Sequence, residues 1–301
     1  MAKYVTPAME RIAKKQAKRK GKKTTPLLDV WRRLRRDKRA MIGLVIVIFL
    51  AILALFPMVF TKYSFSEQDY MNIHKLPSAA HWFGTDQLGR DIFTRVIYGT
   101  RVSLGIGLAS VISALIVGGL LGAVSAFYSN TVDNVIMRIM DVLGAIPGTL
   151  LAISIAAVLG RGVVNLILAL SISAVPLFAR VVRANVLTVK SKDYVEAGKC
   201  VGASDMRLIL KHMIPNAMGP IIVQATFGVA SNILMIAGLS YIGLGIAPPT
   251  PEWGGMLSDA KTYIQQFWHP MIFPGVAIFL TSFSLNVLGD GLRDAFDPKL
   301  R

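Results

Sequence analysis

Few residues of this 301-residue chain have the types and spacing that catalysis or metal binding requires. His74 and His81 stand in one loop without a cysteine or carboxylate cluster beside them, which is a poor pattern for metal ligands. Cys200 is the single cysteine, so the chain forms no intramolecular disulfide. The sequence also lacks a nucleophile–base pair and the G-x-x-x-x-G-K-S/T loop that cradles ATP phosphates. We therefore predict no catalytic residue, no metal site and no cofactor in this chain, and no hydrolysis of ATP by it.

A pattern of two short helices around a glycine stands out in the second half of the chain. Asp193 is followed three residues later by Glu196, which resembles a capping box and predicts a helix from Tyr194. Gly202 can adopt the positive φ of a helix C-cap, so this helix is expected to end there. The pattern indicates a compact projection between two longer elements.

Ser204 is expected to cap the second short helix, which should run to Pro215. Its apolar side is predicted to consist of Leu208, Ile209 and Met213.

The elements that must position this projection are long uncharged segments. Hydrophobic residues make up 53% of the chain and charged residues only 17%, against about 25% in a typical soluble domain. A helix needs about 20 apolar residues to cross a bilayer. The sequence therefore predicts an all-α membrane protein with six transmembrane helices. The segments without Asp, Glu, Lys or Arg are 40–61, 102–132, 142–160, 162–179, 212–251 and 262–289.

The net charge of +16 is concentrated before the first span. A basic run there could contact nucleic acid or anionic lipid. The positive-inside rule offers the preferred interpretation, a cytoplasmic tail over residues 1–39, with no nucleic-acid partner. Six crossings then return the C-terminus to the cytoplasm. Residues 180–211, also expected inside, are basic, whereas residues 247–270, expected outside, carry Glu252, Asp259 and a single lysine.

Ionisable residues near the spans test a rival class, the ion-coupled carrier or channel. The span centres are essentially free of charge, which argues against a proton or sodium relay. Asp141 is the best candidate for a buried carboxylate, with Arg138 expected to form a structural ion pair with it. Pro147 and Pro176 are expected to bend the third and fourth spans.

A charged cluster precedes the second span. Asp86, Arg90 and Asp91 could contact a partner or gate a cavity, but we favour a structural role. In that role they tie a re-entrant segment to the helix bundle through hydrogen bonds.

The glycine-centred projection resembles a known sequence motif. Glu196-Ala197-Gly198, Gly202 and Ile214-Pro215 are similar to the E-A-A…G…L-P loop of ABC importer permeases, with Gly198 and Ile214 as departures. The surrounding sequence resembles the peptide/nickel permeases, and in particular their C-type subunit. The further matching segments are 81–86, 89–91, 193–197, 202–205, 212–216, 248–254 and 286–298.

This resemblance implies a type I ABC importer permease fold in a bacterial or archaeal cell membrane. The implied partners are a B-type permease, two cytoplasmic ATPase subunits that bind ATP and magnesium, and an extracytoplasmic solute-binding protein. The implied cargo is a dipeptide or oligopeptide, with nickel or another small solute as the alternative. The residues implied to couple the chain to an ATPase groove are Glu196, Ala197, Gly198, Gly202, Ala203 and Ser204.

The charge pattern and this resemblance together divide the chain. The implied parts are a basic cytoplasmic N-terminal tail (1–39), a first transmembrane helix (40–61), an external loop with a re-entrant segment (62–101), a permease core (102–289) with its coupling loop (184–215), and a cytoplasmic C-terminal tail (290–301).

Overall fold

Helices form the framework of the computed structural model, which describes residues 26–128 and 130–297. A π-helical segment, Leu208–Met213, lies between two of them, and short 3-10 turns lie at Tyr70–Asn72 and Lys261–Tyr263. The α-helices are α1 (Pro26–Leu34), α2 (Lys38–Leu55), α3 (Pro57–Phe60), α4 (Ile92–Phe127), α5 (Asn130–Ala145), α6 (Gly148–Leu159), α7 (Val163–Lys190), α8 (Asp193–Cys200), α9 (Asp205–Arg207), α10 (Ile214–Tyr241), α11 (Trp253–Ala260) and α12 (His269–Phe296).

The described helices include five that are long and apolar enough to cross a membrane, namely α2, α4, α7, α12 and the helical run from α9 through α10. Helices α5 and α6 meet at an angle of 83°, and they make a sixth span if the bent pair is counted as one. The break falls at Pro147, where the sequence predicts a bend. Pro176, by contrast, lies inside α7 without interrupting it. The prediction of an all-α membrane protein is confirmed.

Several helices extend beyond the uncharged segments that predict them. Helix α4 begins at Ile92, so residues 92–101, assigned to the external segment, are its first turns. Helix α7 continues through Arg183 to Lys190, and α12 continues to Phe296. An uncharged segment marks only the part of a helix that lies in the hydrocarbon core. The helix continues beyond it as long as its backbone N–H and C=O groups keep hydrogen-bond partners.

Small residues allow the long helices to approach closely. A Cβ atom at Gly118 of α4 would lie 2.6 Å from the carbonyl oxygen of Val175 in α7. A Cβ at Gly43 of α2 would lie 2.7 Å from the carbonyl oxygen of Ser284 in α12. In lipid, where burial of apolar surface does not drive helices together, such contacts are what packing depends on. The glycines therefore fix which helices are neighbours.

One end of the bundle brings both ends of the described chain together. The Arg33 guanidinium in α1 donates hydrogen bonds to the carbonyl oxygens of Ala295 and Asp297, at 3.5 and 3.2 Å. The Phe296 ring packs on Gly219, near the start of α10. Helix α1, the end of α12 and the start of α10 thus lie on one side of the bundle. The predicted tails only partly overlap the described residues, because residues 1–25 and 298–301 lie outside them.

The opposite end, called here the far end, is closed by residues 62–91 and α11. Arg90 donates to the Asp86 carboxylate at 2.6 Å, and Asp91 pairs with His81 at 2.9 Å. Asp91 also caps α4 by accepting from the backbone N–H of Thr94 at 2.8 Å. These contacts are the hydrogen bonds expected of Asp86, Arg90 and Asp91 in a structural role. Within residues 62–91, however, the structure has only the 3-10 turn as helix, and the element tied down is α4 itself.

Candidate functional site

The projection between α7 and α10 is the candidate site, and we call residues Asp193–Met213 the knob. It consists of α8, a turn, α9 and the π-helical segment, which leads directly into α10. Gly202 lies in the turn with φ of +74°, as the sequence predicts. The N–H groups of Gly202 and Ala203 donate to the carbonyl oxygens of Lys199 and Gly198. The glycine therefore reverses the chain and satisfies the end of α8 at the same time.

Two details of the predicted knob are wrong. The N-cap of α8 is Lys192, whose side chain makes no capping hydrogen bond to the described backbone, so Asp193 and Glu196 do not form a capping box. Both carboxylates stand in the first turn, where negative charge still suits the helix dipole. Ser204 occupies the N-cap of α9, but its side chain makes no capping bond to the described backbone either.

The second knob helix also does not stop at Pro215. The chain stays helical from Asp205 to Tyr241, and Pro215 lies in the first turn of α10, directly after the π-helical segment. Pro215 has no N–H group to donate, and it stands directly after the π-helical segment, where the α-helical hydrogen-bond pattern is already interrupted. The knob is thus continuous with a membrane-crossing helix.

Buried apolar side chains anchor the knob to the bundle. Val195, Leu208 and Met213 have no exposed surface, and Ile209 is 1% exposed. They share one cluster with the knob-side ends of α4 and α7 and the start of α10. The apolar side predicted for the second helix is confirmed. A side chain of this size contributes roughly 1.5–3 kcal/mol when fully buried. The knob is therefore packed firmly against the helix bundle. The other buried members of the cluster are Ala123, Ala126, Phe127, Val182, Val186, Val189, Ala217 and Ile221.

All six predicted coupling residues lie in the knob, but their surroundings differ. Glu196, Ala197, Gly202 and Ser204 are exposed, while Gly198 and Ala203 are half-buried. A Cβ at Gly198 would lie 2.7 Å from Leu208 Cδ2, so glycine at this position lets α8 close onto the π-helical segment. Ala203 packs against the anchoring cluster. The first four residues are available to a partner, and the other two shape the surface.

Sequence reasoning missed an apolar rim around these residues. Val201 is 83% exposed, and Met206, Leu210 and Tyr194 are each about half exposed. Several exposed apolar side chains on one short projection are typical of a protein–protein contact. The available signal was Val201 itself, an apolar residue directly before a turn glycine. The rim makes the knob better suited to a protein than to a small charged ligand.

Ion pairs near the knob differ from the predicted one. Asp141 pairs with Arg180 of α7 at 3.1 Å, so the predicted partner, Arg138, is wrong. The Asp141 side chain is also 57% exposed in this chain rather than buried. Arg183 holds Asp133 through two hydrogen bonds, one of them from Nε at 2.6 Å. Asp133 and Asp141, near opposite ends of α5, each have an arginine partner from α7, and these ion pairs fasten α5 beside α7.

The histidines considered as metal ligands lie at the far end. His74 stacks on Phe267, with ring centroids 4.4 Å apart, and it also contacts Tyr263. His81 pairs with Asp91 and stacks on Tyr63. Within the described ranges, His, Cys, Asp and Glu side chains form no group of three or more that could hold a metal ion. The contacts shown by His74 and His81 are structural.

Membrane-crossing helices with a firmly anchored, exposed knob between two of them define a multi-pass membrane protein with a surface that a partner protein can contact. Comparison with known sequences gives the family. Residues 87–301 match the binding-protein-dependent transport system inner membrane component, and residues 25–77 match the N-terminal TM domain of oligopeptide transport permease C. The chain belongs to this family, as a C-type subunit of the peptide/nickel group of ABC importer permeases.

Curated relatives match over nearly the whole chain. The dipeptide transport system permease protein DppC of Alkalihalophilus pseudofirmus is 43% identical over 277 residues, which cover 92% of this chain and 91% of the relative. The glutathione transport system permease protein GsiD of Escherichia coli is 45% identical over 278 residues, or 92% of each chain.

A solved structure supports the fold independently. A chain of the MetNI methionine ABC transporter in an inward-facing conformation superimposes with a TM-score of 0.55 at 17% identity. The match covers 67% of this chain and 97% of that chain. The predicted type I ABC importer permease fold is confirmed.

Proposed function

We propose that this chain forms part of the translocation pathway of an importer that carries dipeptides or short oligopeptides into the cytoplasm. The observation that carries this proposal is the knob, which is fixed to three membrane-crossing helices by buried apolar side chains while its top stays exposed. Such a part can receive force from a partner. The peptide cargo is supported by the names of two relatives, which transport a dipeptide and glutathione.

The partner of the knob is an ATPase subunit on the cytoplasmic side. Glu196, Ala197 and Gly202 enter a groove on that subunit, together with Gly198, Ala203 and Ser204, and the apolar rim packs against its walls. The ATPase chains bind ATP and magnesium, and this chain needs no cofactor of its own. Closure of the two ATPase subunits on ATP pulls the knob and switches the bundle between inward- and outward-facing states as a rigid-body movement.

The B-type permease and the solute-binding protein are assigned to two further surfaces, on α5 and at the far end. Helix α5 exposes apolar side chains such as Val135, Ile139 and Val142, which suit a contact with a B-type permease. The knob side is cytoplasmic, as are both termini, because α1 and the end of α12 lie there and the tail before α1 is strongly basic. The far end then faces an extracytoplasmic solute-binding protein that delivers the peptide.

Reconstitution of the complete complex into liposomes tests the proposal. Uptake of a labelled dipeptide, a longer peptide, glutathione and Ni²⁺ is measured with the binding protein outside and ATP inside. We expect peptide uptake that requires the ATPase subunits and ATP. Uptake that persists when the ATPase subunits are omitted would show an ion-coupled carrier or channel instead. Uptake of Ni²⁺ in place of any peptide would contradict the proposed cargo.

A further inference from the structure

Helix α4 reaches the knob although it lies far from it in sequence. Phe127, its last residue, is 9% exposed and belongs to the same apolar cluster as Val195, Leu208 and Met213. Helices α7 and α10 are joined to the knob through the chain itself. Helix α4 is joined to it only by side-chain contacts, which can therefore be removed by substitution without changing the connections of the knob.

Two lysines converge on the end of α4. The Lys199 ammonium, from α8 of the knob, lies 5.4 Å from the centroid of the Phe127 ring, and that of Lys190 lies 6.0 Å from it. Lys190 also donates to the carbonyl oxygens of Ala126 and Phe127, both at 2.8 Å. These carbonyls have no partner within the helix, so Lys190 closes the helix end while Lys199 holds the knob against it.

The other end of the same helix supports α11 at the far end of the molecule. The indole N–H of Trp253 donates to the carbonyl oxygen of Val96 at 3.0 Å, and the Trp253 side chain has no exposed surface. Ser103 Oγ lies 3.3 Å from a carboxylate oxygen of Glu252, the N-cap of α11. A Cβ at Gly99 would lie 2.9 Å from the indole ring. Helix α11 is thus seated directly on α4.

Helix α4 connects the knob to α11 as one uninterrupted α-helix. It runs for 36 residues without a proline, which is about 54 Å at 1.5 Å per residue. Helix α7 contains Pro176, and α10 contains Pro220 and begins at the π-helical segment. Prolines and π-helical segments interrupt the backbone hydrogen bonds that make a helix resist bending. Helix α4 thus offers an unbroken, proline-free route by which a movement of the knob can reach α11.

We propose that α4 is the rod that carries movement of the knob to α11 at the far end, and that Lys199 and Phe127 are positioning residues that clamp the knob to this rod. The proposal rests on the proposed function, in which the ATPase subunits move the knob. It adds a route for the movement and two residues on which the route depends.

The test uses the complete reconstituted complex with a reporter at the far end. Thr262, an exposed residue just after α11, is changed to cysteine in a Cys200→Ser background. Labelling by a membrane-impermeant maleimide added outside is timed with and without ATP plus vanadate. We expect the trapped state to change the labelling rate. In Lys199→Met and Phe127→Leu this change shrinks, and peptide taken up per ATP hydrolysed falls roughly two- to five-fold, the factor expected for one exposed cation–π contact.

Three controls separate the clamp from other roles. Lys199→Arg keeps a cation over the ring and should behave as the parent. Lys38→Met removes an exposed lysine outside the knob and should leave both readouts unchanged. Phe127 is almost buried, so its variant should retain the ATPase subunits on purification and keep basal ATP hydrolysis.

The outcomes distinguish the two proposals. If the labelling rate of Thr262→Cys changes as much in Lys199→Met and Phe127→Leu as in the parent, the proposed role of α4 is wrong. It is also wrong if the labelling rate of the parent does not change in the trapped state. If the parent takes up peptide without ATPase subunits, the proposed function fails as well.

Discussion

At the scale of single residues, glycines of the knob are constrained in two different ways. Gly202 has open space around it but a φ of +74°, whereas Gly198 lacks the positive φ and is limited by contact with Leu208. The sequence predicts the first, because residue type reports backbone freedom directly. It could not reveal the second, since the contact joins two segments whose relative placement depends on the anchoring cluster. The predicted capping box is wrong because α8 begins at Asp193, one residue earlier than the sequence predicts, so Asp193 is not the N-cap residue.

Substitution of Gly202 tests the turn. Gly202→Val should uncouple ATP hydrolysis from peptide uptake, because a β-branched residue is strained at positive φ and the knob must distort. Gly202→Asn is the matched variant, since asparagine tolerates this conformation. We expect uptake per ATP to fall at least several-fold in the valine variant and to stay near the parent value in the asparagine variant. Equal coupling in both would contradict the role of the turn.

His74 gives a pH prediction at the far end. Burial lowers the pKa of His74 from its ordinary value of 6.5, although Asp86 opposes the shift. The folded protein therefore binds this proton less well than the unfolded chain does. The stability that neutral His74 contributes is present above its ordinary pKa and is lost as the pH falls below it.

Thermal melting of the purified protein checks this sign. The melting temperature should fall between about pH 7.5 and about pH 5.5. His74→Phe keeps an aromatic ring against Phe267 and should reduce the fall, whereas His212→Gln, which removes a histidine of the knob, serves as the control. An unchanged pH dependence in His74→Phe would exclude this histidine as its source.

At the scale of elements, hydrophobicity predicts where the helices lie but not how long they are. The charges of Arg180, Arg183 and Lys190 end the uncharged segment of the fourth span, yet all three residues are helical. Each has a partner on a neighbouring element: Asp141, Asp133 and the end of α4, respectively. Those partners are distant in sequence, so the residues near each charge could not predict them. The bend at Pro147 could be predicted, because proline acts on its own helix.

Packing of α4 against α7 should be sensitive to the smallest added group. A Cβ at Gly122 would overlap the backbone carbonyl of Ala179, which cannot move without shifting α7. We expect Gly122→Ala to destabilise the protein by about 1–3 kcal/mol, as overpacking does. Gly105→Ala, in the same helix, would meet no described atom within 4 Å and should not destabilise it. The melting temperatures of the two variants in detergent give the comparison, and equal values would contradict close packing here.

At the scale of the whole molecule, the arrangement of the two ends agrees with an even number of crossings. Helix α1, the end of α12 and the knob share one side, and α11 with residues 62–91 closes the other. The positive-inside rule predicts this arrangement from charge alone. The sequence could not predict how α11 packs on α4 at the far end, because Trp253 and Val96 are brought together only in the folded bundle.

Cys200 provides a direct measure of orientation. It is exposed on the knob and is the single cysteine of the chain. In intact cells, a membrane-impermeant maleimide added outside should leave it unlabelled, and the same reagent should label it in inverted membrane vesicles. Val201→Cys in a Cys200→Ser background should give the same pattern. Labelling of either site from outside would place the knob on the wrong side and end the proposal of ATPase coupling.

The break between α5 and α6 limits what can surround it in the membrane. Residues 144–150, which span the break, are all exposed in this chain, and Pro147 has no N–H group to offer. Hydrocarbon cannot hydrogen-bond the peptide groups that a sharp bend releases, so such backbone persists only against protein or beside water. We therefore expect the exposed residues at this bend to face another protein surface or water, and to stay out of contact with lipid chains.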